Sequence, residues 1–191
     1  MTPSSESTTK FLQRPPDRQK VVRVFLSSGA DLNPQRELFR GMVDATNKQF
    51  RDWGSRSRSF VILVEDWEGH AASRTPEHVN KMFVDDATHS HAALVMFASD
   101  IRPGTQEELQ ALLKMPEVQL SVVWMKEPRQ RGTARIKQVL ELCRKGDRLL
   151  YEITGPPGSN GSVVALLKFI QAIVADLTKD ETRKEVLYEL R

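Results

Sequence analysis

The chain has 191 residues, 39% hydrophobic and 28% charged, with a net charge of +3 and one cysteine. That length suits a single domain with its own core, and a lone Cys143 excludes an internal disulfide framework and a cysteine-rich metal site. Lysines and arginines are interleaved with acids, which is not the pattern of a nucleic-acid face; only Arg129 to Lys145 is locally basic, and it reads as the solvated side of a helix. No apolar run approaches the ~20 residues of a membrane span. Met1 to Lys20, rich in Ser, Thr, Pro and charge, lacks the apolar stretch of a secretory signal, so a flexible tail and a reducing, cytoplasmic setting are expected.

Val21 to Leu26 is a short run rich in β-branched residues that ends at Ser27-Ser28-Gly29, the pattern of a buried strand entering a turn. Asn33-Pro34 supplies an N-cap and a proline at the first helical position, and Leu38, Phe39, Met42, Val43, Thr46, Phe50 and Trp53 recur at helical spacing. Ser59 to Val64 is a second buried run, Thr75-Pro76 opens a second helix, and Ala92 to Ala98 is a third strand. Gly104-Thr105 precedes a third helix with Leu109, Leu112 and Leu113 on one face, and Val118 to Met125 is a fourth strand. Ile136, Val139, Leu140 and Cys143 mark a fourth helix, Arg148 to Ile153 a fifth strand, and Val163 to Leu177 a last long helix behind a Gly/Pro/Ser loop. The expected organisation is a tail over 1–20, one α/β domain over 21–178 and a charged helical end over 179–191. Strands alternating with helices imply a flavodoxin-like three-layer sandwich: a five-stranded parallel sheet in the order 2-1-3-4-5, covered on both faces through right-handed crossovers.

In such sheets ligands bind beyond the carboxyl ends of the strands where the order reverses, here between the first and third. Three loops reach that edge. The first, Ser27 to Asp31, combines hydroxyls with the amides of a helix start and suits a phosphate or a ribose, although it is not a Walker-type loop; Ser27, Ser28 and Asp31 could equally do no more than shape a turn. In the second, Glu65 or Asp66 could hold a sugar hydroxyl while Trp67 stacks on a base, or the indole could simply cover the end of the sheet. The third runs from Ser99 to Glu108. Gly104-Thr105-Gln106-Glu107-Glu108 has the form of a capping box, with Thr105 as N-cap and Glu108 reaching back to its amide. The same carboxylate at the ligand edge could stabilise positive charge developing on a ribose as an N-glycosidic bond breaks, with Glu107 turned to solvent; both roles stay open. His70, His78, His89 and His91 have no metal-ligand spacing, no GxSxG elbow is present, and Gly155 to Ser162 is read as a connector.

Val24-Phe25-Leu26-Ser27-Ser28, followed by Asp31-Leu32 and Arg36-Glu37, resembles the opening of a TIR-like family catalogued as domain of unknown function 4062. The resemblance continues through Glu65-Asp66, through Val84-Asp85-Asp86 with Ser90, and to an acid opening the next helix, covering about Val22 to Met125. Glu108-Leu109 is similar to the pair that carries the catalytic glutamate of TIR-domain NAD hydrolases, and Gly104-Thr105 with Glu108 is similar to the segment that carries the nucleophile of nucleoside deoxyribosyltransferases. Both groups cleave a bond between a ribose and a nitrogen base. The resemblance implies an N-glycosidase with NAD as substrate rather than cofactor, catalytic Glu108, and Ser27, Ser28, Asp31, Glu65, Asp66, Trp67, Ser99 and Thr105 around the nucleotide. It equally admits a non-catalytic, nucleotide-binding module. Either form implies homo-oligomeric assembly and a part in bacterial defence or signalling.

Overall fold

The computed structural model describes residues 20–53, 60–65, 76–145 and 150–179. Apart from Lys20 and Lys179, the expected tail and charged C-terminal helix lie outside these residues. The elements are β1 (Lys20–Ser28), a 3-10 turn (Ala30–Leu32), α1 (Asn33–Trp53), β2 (Phe60–Glu65), α2 (Pro76–Thr88), β3 (Ala92–Phe97), α3 (Pro103–Leu112), β4 (Gln119–Met125), α4 (Ala134–Lys145), β5 (Leu150–Thr154) and α5 (Asn160–Lys179). The five strands form one parallel sheet in the order β2-β1-β3-β4-β5, which is the flavodoxin-like arrangement.

Strand alternation decides which helix covers which face. Val22, Val24 and Leu26 of β1 join Leu94 and Met96 of β3 on the side closed by α1 and α5, where Phe39, Val43, Phe169 and Ile173 fill the layer. Phe25 of β1 joins Val95 and Phe97 on the opposite side, against Phe83 of α2, Leu109 and Leu112 of α3, and Ile136 and Val139 of α4. The central strand β3 has neighbours on both edges and helices on both faces, so all six of its residues are buried. An unbroken apolar run, Ala-Ala-Leu-Val-Met-Phe, meets that requirement. Among the described residues α5 is the one helix long and apolar enough to cross a membrane by length and composition. Its Ala165, Leu166, Phe169, Ile170 and Ile173 are instead packed into the core beside α1. One such helix, so placed, does not make a membrane protein.

Two details of register place the carboxyl edge. β1 runs two residues beyond the expected strand, because Ser27 and Ser28 pair in the ladder opposite Val95 and Met96 of β3; the serines therefore end a strand instead of opening a loop. Glu65, the last described residue of β2, lies opposite Phe25, two residues below the level of Ser27, or roughly 7 Å along the strand. The entry to α1 also differs from a simple asparagine cap: a 3-10 turn leads into it, and the side-chain oxygen of Asn33 accepts a hydrogen bond from the Arg36 guanidinium.

Phe39 is fully buried and its ring lies 6.0 Å from that of Phe169, joining α1 to α5 over the sheet. Truncating Phe39→Ala removes this bridge and leaves a void, and should lower unfolding free energy in a urea titration by about 3 to 5 kcal/mol.

Candidate functional site

At the end of β1 the side chains again alternate between faces. Ser27 lies two residues after Phe25 and so turns toward the layer of α2, α3 and α4. It is 2% exposed, and its hydroxyl donates to the Glu108 carboxylate of α3.

The helix that carries Glu108 does not begin where a capping box would start it. α3 opens at Pro103, with Arg102 in extended geometry as its N-cap and no side-chain cap. A proline pre-set for the first helical position starts the helix two residues before Thr105. Thr105 is thereby carried inside the helix, where it is buried with Leu109 and Leu112 against the sheet. Glu108, three residues after Thr105 and four before Leu112, shares that flank, while Glu107 is exposed. The capping-box reading of Glu108 is corrected on this ground: its carboxylate receives the Ser27 hydroxyl, across the boundary between helix and sheet, and not the Thr105 amide.

Burial pushes the Glu108 carboxyl up to about 7; the Ser27 hydrogen bond opposes the rise and the neighbouring Glu107 carboxylate adds to it. Near neutrality the group is thus divided between its proton-donating and its anionic form, a condition that suits acid–base or electrostatic catalysis.

The other expected site residues are distributed around this pair. Ser28 is 92% buried, and its hydroxyl has no hydrogen-bond partner in the structure. Asp31 is exposed and folds its carboxylate over Gly29: a Cβ added at Gly29 would lie 2.2 Å from Asp31 Oδ1 and 3.2 Å from Arg102 Nε. The absence of a side chain at Gly29 is what lets Asp31 and Arg102 converge at the end of β1. Ser99 is exposed in the loop after β3, and its carbonyl accepts from Gln130 Nε2 at 3.2 Å. Glu65 sits one strand away, set back along β2, and pairs at 3.6 Å with Arg23 rather than with Ser27 or Glu108. Asp66 and Trp67 lie outside the described residues. The structure therefore brings Ser27 and Glu108 together, keeps Ser28, Asp31 and Thr105 on adjoining elements, and leaves Glu65 directed elsewhere.

Arg102 and Gln130 escaped the reading of the sequence. Arg102 could have been flagged by the Pro103 that follows it, which marks it as an N-cap on the ligand edge. Gln130 carries no local signal of its reach, since the carbonyls to which its side chain donates are 31 and 32 residues away. Among the described residues no group of three His, Cys, Asp or Glu side chains could hold a metal ion. The buried Cys143 thiol is pushed up by desolvation to about 11, which denies it a thiolate nucleophile's role. In the loop before α5, Ser159 Oγ accepts the Ser162 amide at 3.3 Å, a helix cap within a connector.

Two titrations follow. Removing the donor in Ser27→Ala should move the Glu108 midpoint above about 7, read by carbon NMR of labelled glutamate. The folded carboxyl keeps its proton to higher pH than the unfolded one, so its contribution to stability is complete below the ordinary glutamate range and is lost as pH rises through about 7. Glu108→Gln lacks this dependence; between pH 4 and pH 8 its unfolding free energy should gain roughly 3 kcal/mol on wild type.

No protein-family model matches the chain, and no curated protein matches it.

Proposed function

We propose that this chain is a TIR-like N-glycosidase acting on a nucleotide, with NAD as its substrate and Glu108 as the catalytic group. The observation that carries the reading is the half-buried Glu108 carboxyl, held by Ser27 at the switch point between β1 and β3 and titrating near neutrality. The leaving group of NAD is a nicotinamide ring already carrying positive charge. Its departure takes the electron pair of the C1′–N bond onto nitrogen and needs no proton from the protein. What the reaction does need is an anion facing the ribose as positive charge develops there, and ionised Glu108 supplies it. Water then adds to C1′, completing ADP-ribose, and its surplus proton passes through Glu108 to solvent. Asp31, at the same strand end, is the group for ribose hydroxyls, and Arg102 supplies the charge for a phosphate. The TIR-like resemblance adds a part in bacterial defence or signalling and assembly into homo-oligomers, and the lone Cys143 suits a cytoplasmic setting.

A second reading has its own support. Ser27 and Glu108 satisfy one another inside the fold, as a pair would in a nucleotide-binding or self-associating module without catalysis.

Nicotinamide release from NAD, measured over a wide range of protein concentration, separates the two. The enzyme should show release that climbs faster than protein concentration and falls at least ~1000-fold in Glu108→Gln. Its kcat/KM should rise about tenfold per pH unit below neutrality and level off above about 7, with the kcat profile displaced to lower pH because the bound cation favours the carboxylate. Absence of release at every concentration, with Glu108→Gln changed only in stability, would leave the module.

A further inference from the structure

The start of α3 fixes where Glu108 points, yet that start has no side-chain cap of its own. Its definition comes from another loop. Between β3 and α3, Ala98 O accepts Trp124 Nε1 at 3.0 Å and Gln130 Nε2 at 2.9 Å, and Ser99 O accepts the same Gln130 amide at 3.2 Å. Asp100 Oδ1 accepts the Thr133 hydroxyl at 2.7 Å, and Ile101 O accepts the Arg135 guanidinium at 2.9 Å. Four consecutive residues, 98 to 101, are thus each held by a side chain from the loop between β4 and α4 or from the first turn of α4, and Ile101 is also fully buried.

Gln130 is the centre of this clamp. Its Oε1 accepts the Glu127 amide at 2.9 Å and its own amide donates to Glu127 O at 3.1 Å, so the donor end of the side chain is held in one direction. Thr133 has a comparable double part, since the same hydroxyl oxygen accepts the Ile136 amide at 3.2 Å and so opens α4. The Thr133 hydroxyl, with smaller help from the Ile101 amide and Arg135, holds Asp100 below the ordinary carboxylate range and hence ionised at neutral pH. A loop leading into a reactive helix is usually among the more mobile parts of a fold, and an error of about 1 Å at the reacting group costs about a hundredfold in rate.

We infer that Gln130 is a positioning residue for Glu108: with Thr133 and Arg135 it fixes the β3–α3 loop, and through it the register at which α3 delivers the Glu108 carboxylate to Ser27. The inference rests on the reading of Glu108 as the reactive group, but its geometric content can be tested without turnover.

The experiment is the titration of the Glu108 carboxyl by carbon NMR in the full chain, with NAD cleavage assayed beside it. Gln130→Met keeps the volume and removes the donor; Thr133→Val keeps the shape and removes the hydroxyl, and serves if the first variant does not fold. Arg131→Ala, on the same loop with an exposed side chain, is the control. Ser27 from β1 and Glu107 on α3 are unchanged throughout. Loosening the loop admits water to Glu108, which lowers its midpoint, and weakens the Ser27 hydrogen bond, which raises it; burial is the larger cause, so the midpoint should fall by at least about half a unit in Gln130→Met and in the same direction in Thr133→Val, with no change in Arg131→Ala. In an active wild type, kcat should fall about tenfold with KM held within about twofold. A midpoint that stays in place while the melting temperature drops makes the clamp a structural brace and overturns the inference. Absence of turnover in wild type overturns the proposed reaction alone, and the midpoint still decides the clamp.

Discussion

A carboxylate taken out of water keeps its charge only if donors replace the water it has lost. Glu108 has the Ser27 hydroxyl as such a donor, and the rest of the structure can be seen as the means of presenting that hydroxyl to it. Ser27 faces the right layer because β1 alternates and because pairing with β3 extends the strand to Ser28. Glu108 reaches the same point because Pro103 starts α3 early enough for Thr105, Glu108 and Leu112 to share the flank that meets the sheet. A shift of one residue in either element would turn the serine into the opposite core layer or swing the glutamate into solvent.

Much of the architecture was legible in the sequence, for identifiable reasons. The central strand β3 is an unbroken apolar run, β1 and β4 are mostly apolar with Arg23 and Ser121 inside them, and each such run is separated from the next by a helix-length stretch with apolar residues on one side. That alternation leaves few topologies, and the order β2-β1-β3-β4-β5 is one of them. The edge between elements was harder to read. Ser27 and Ser28 look like turn residues by composition, and only the β3 partners Val95 and Met96 make them strand. Thr105 and Glu108 have the spacing of a capping box, and the proline two positions before Thr105 overrides it. Local signals fix an element's type; its last residue is settled by what it packs or pairs against.

The candidate site follows the same division. Glu108 and Ser27 could be singled out from their places after β3 and on β1, because chain topology alone carries both to the carboxyl edge. Glu65 was singled out on the same argument, but register intervened: the glutamate lies two residues below Ser27, and its carboxylate finds Arg23. Gln130 had no such argument in its favour. Its side-chain amide donates to backbone carbonyls, which look alike in every sequence, and a donor that serves carbonyls at a distance of about thirty residues leaves no motif behind it.

The hydrogen bond from Ser27 to Glu108 joins residues 81 positions apart. It cannot form until β1 has paired with β3 and α3 has docked, both of which require long stretches of chain to close. An emerging or half-folded chain therefore carries an ordinary glutamate, ionised and solvated at neutral pH, and only the finished sheet converts it into a group that takes up a proton. Completion of folding is thus written into the charge of one side chain. Any chemistry that rests on this carboxyl is therefore acquired late, as the central strands close, and is lacking in a chain that stalls before that point.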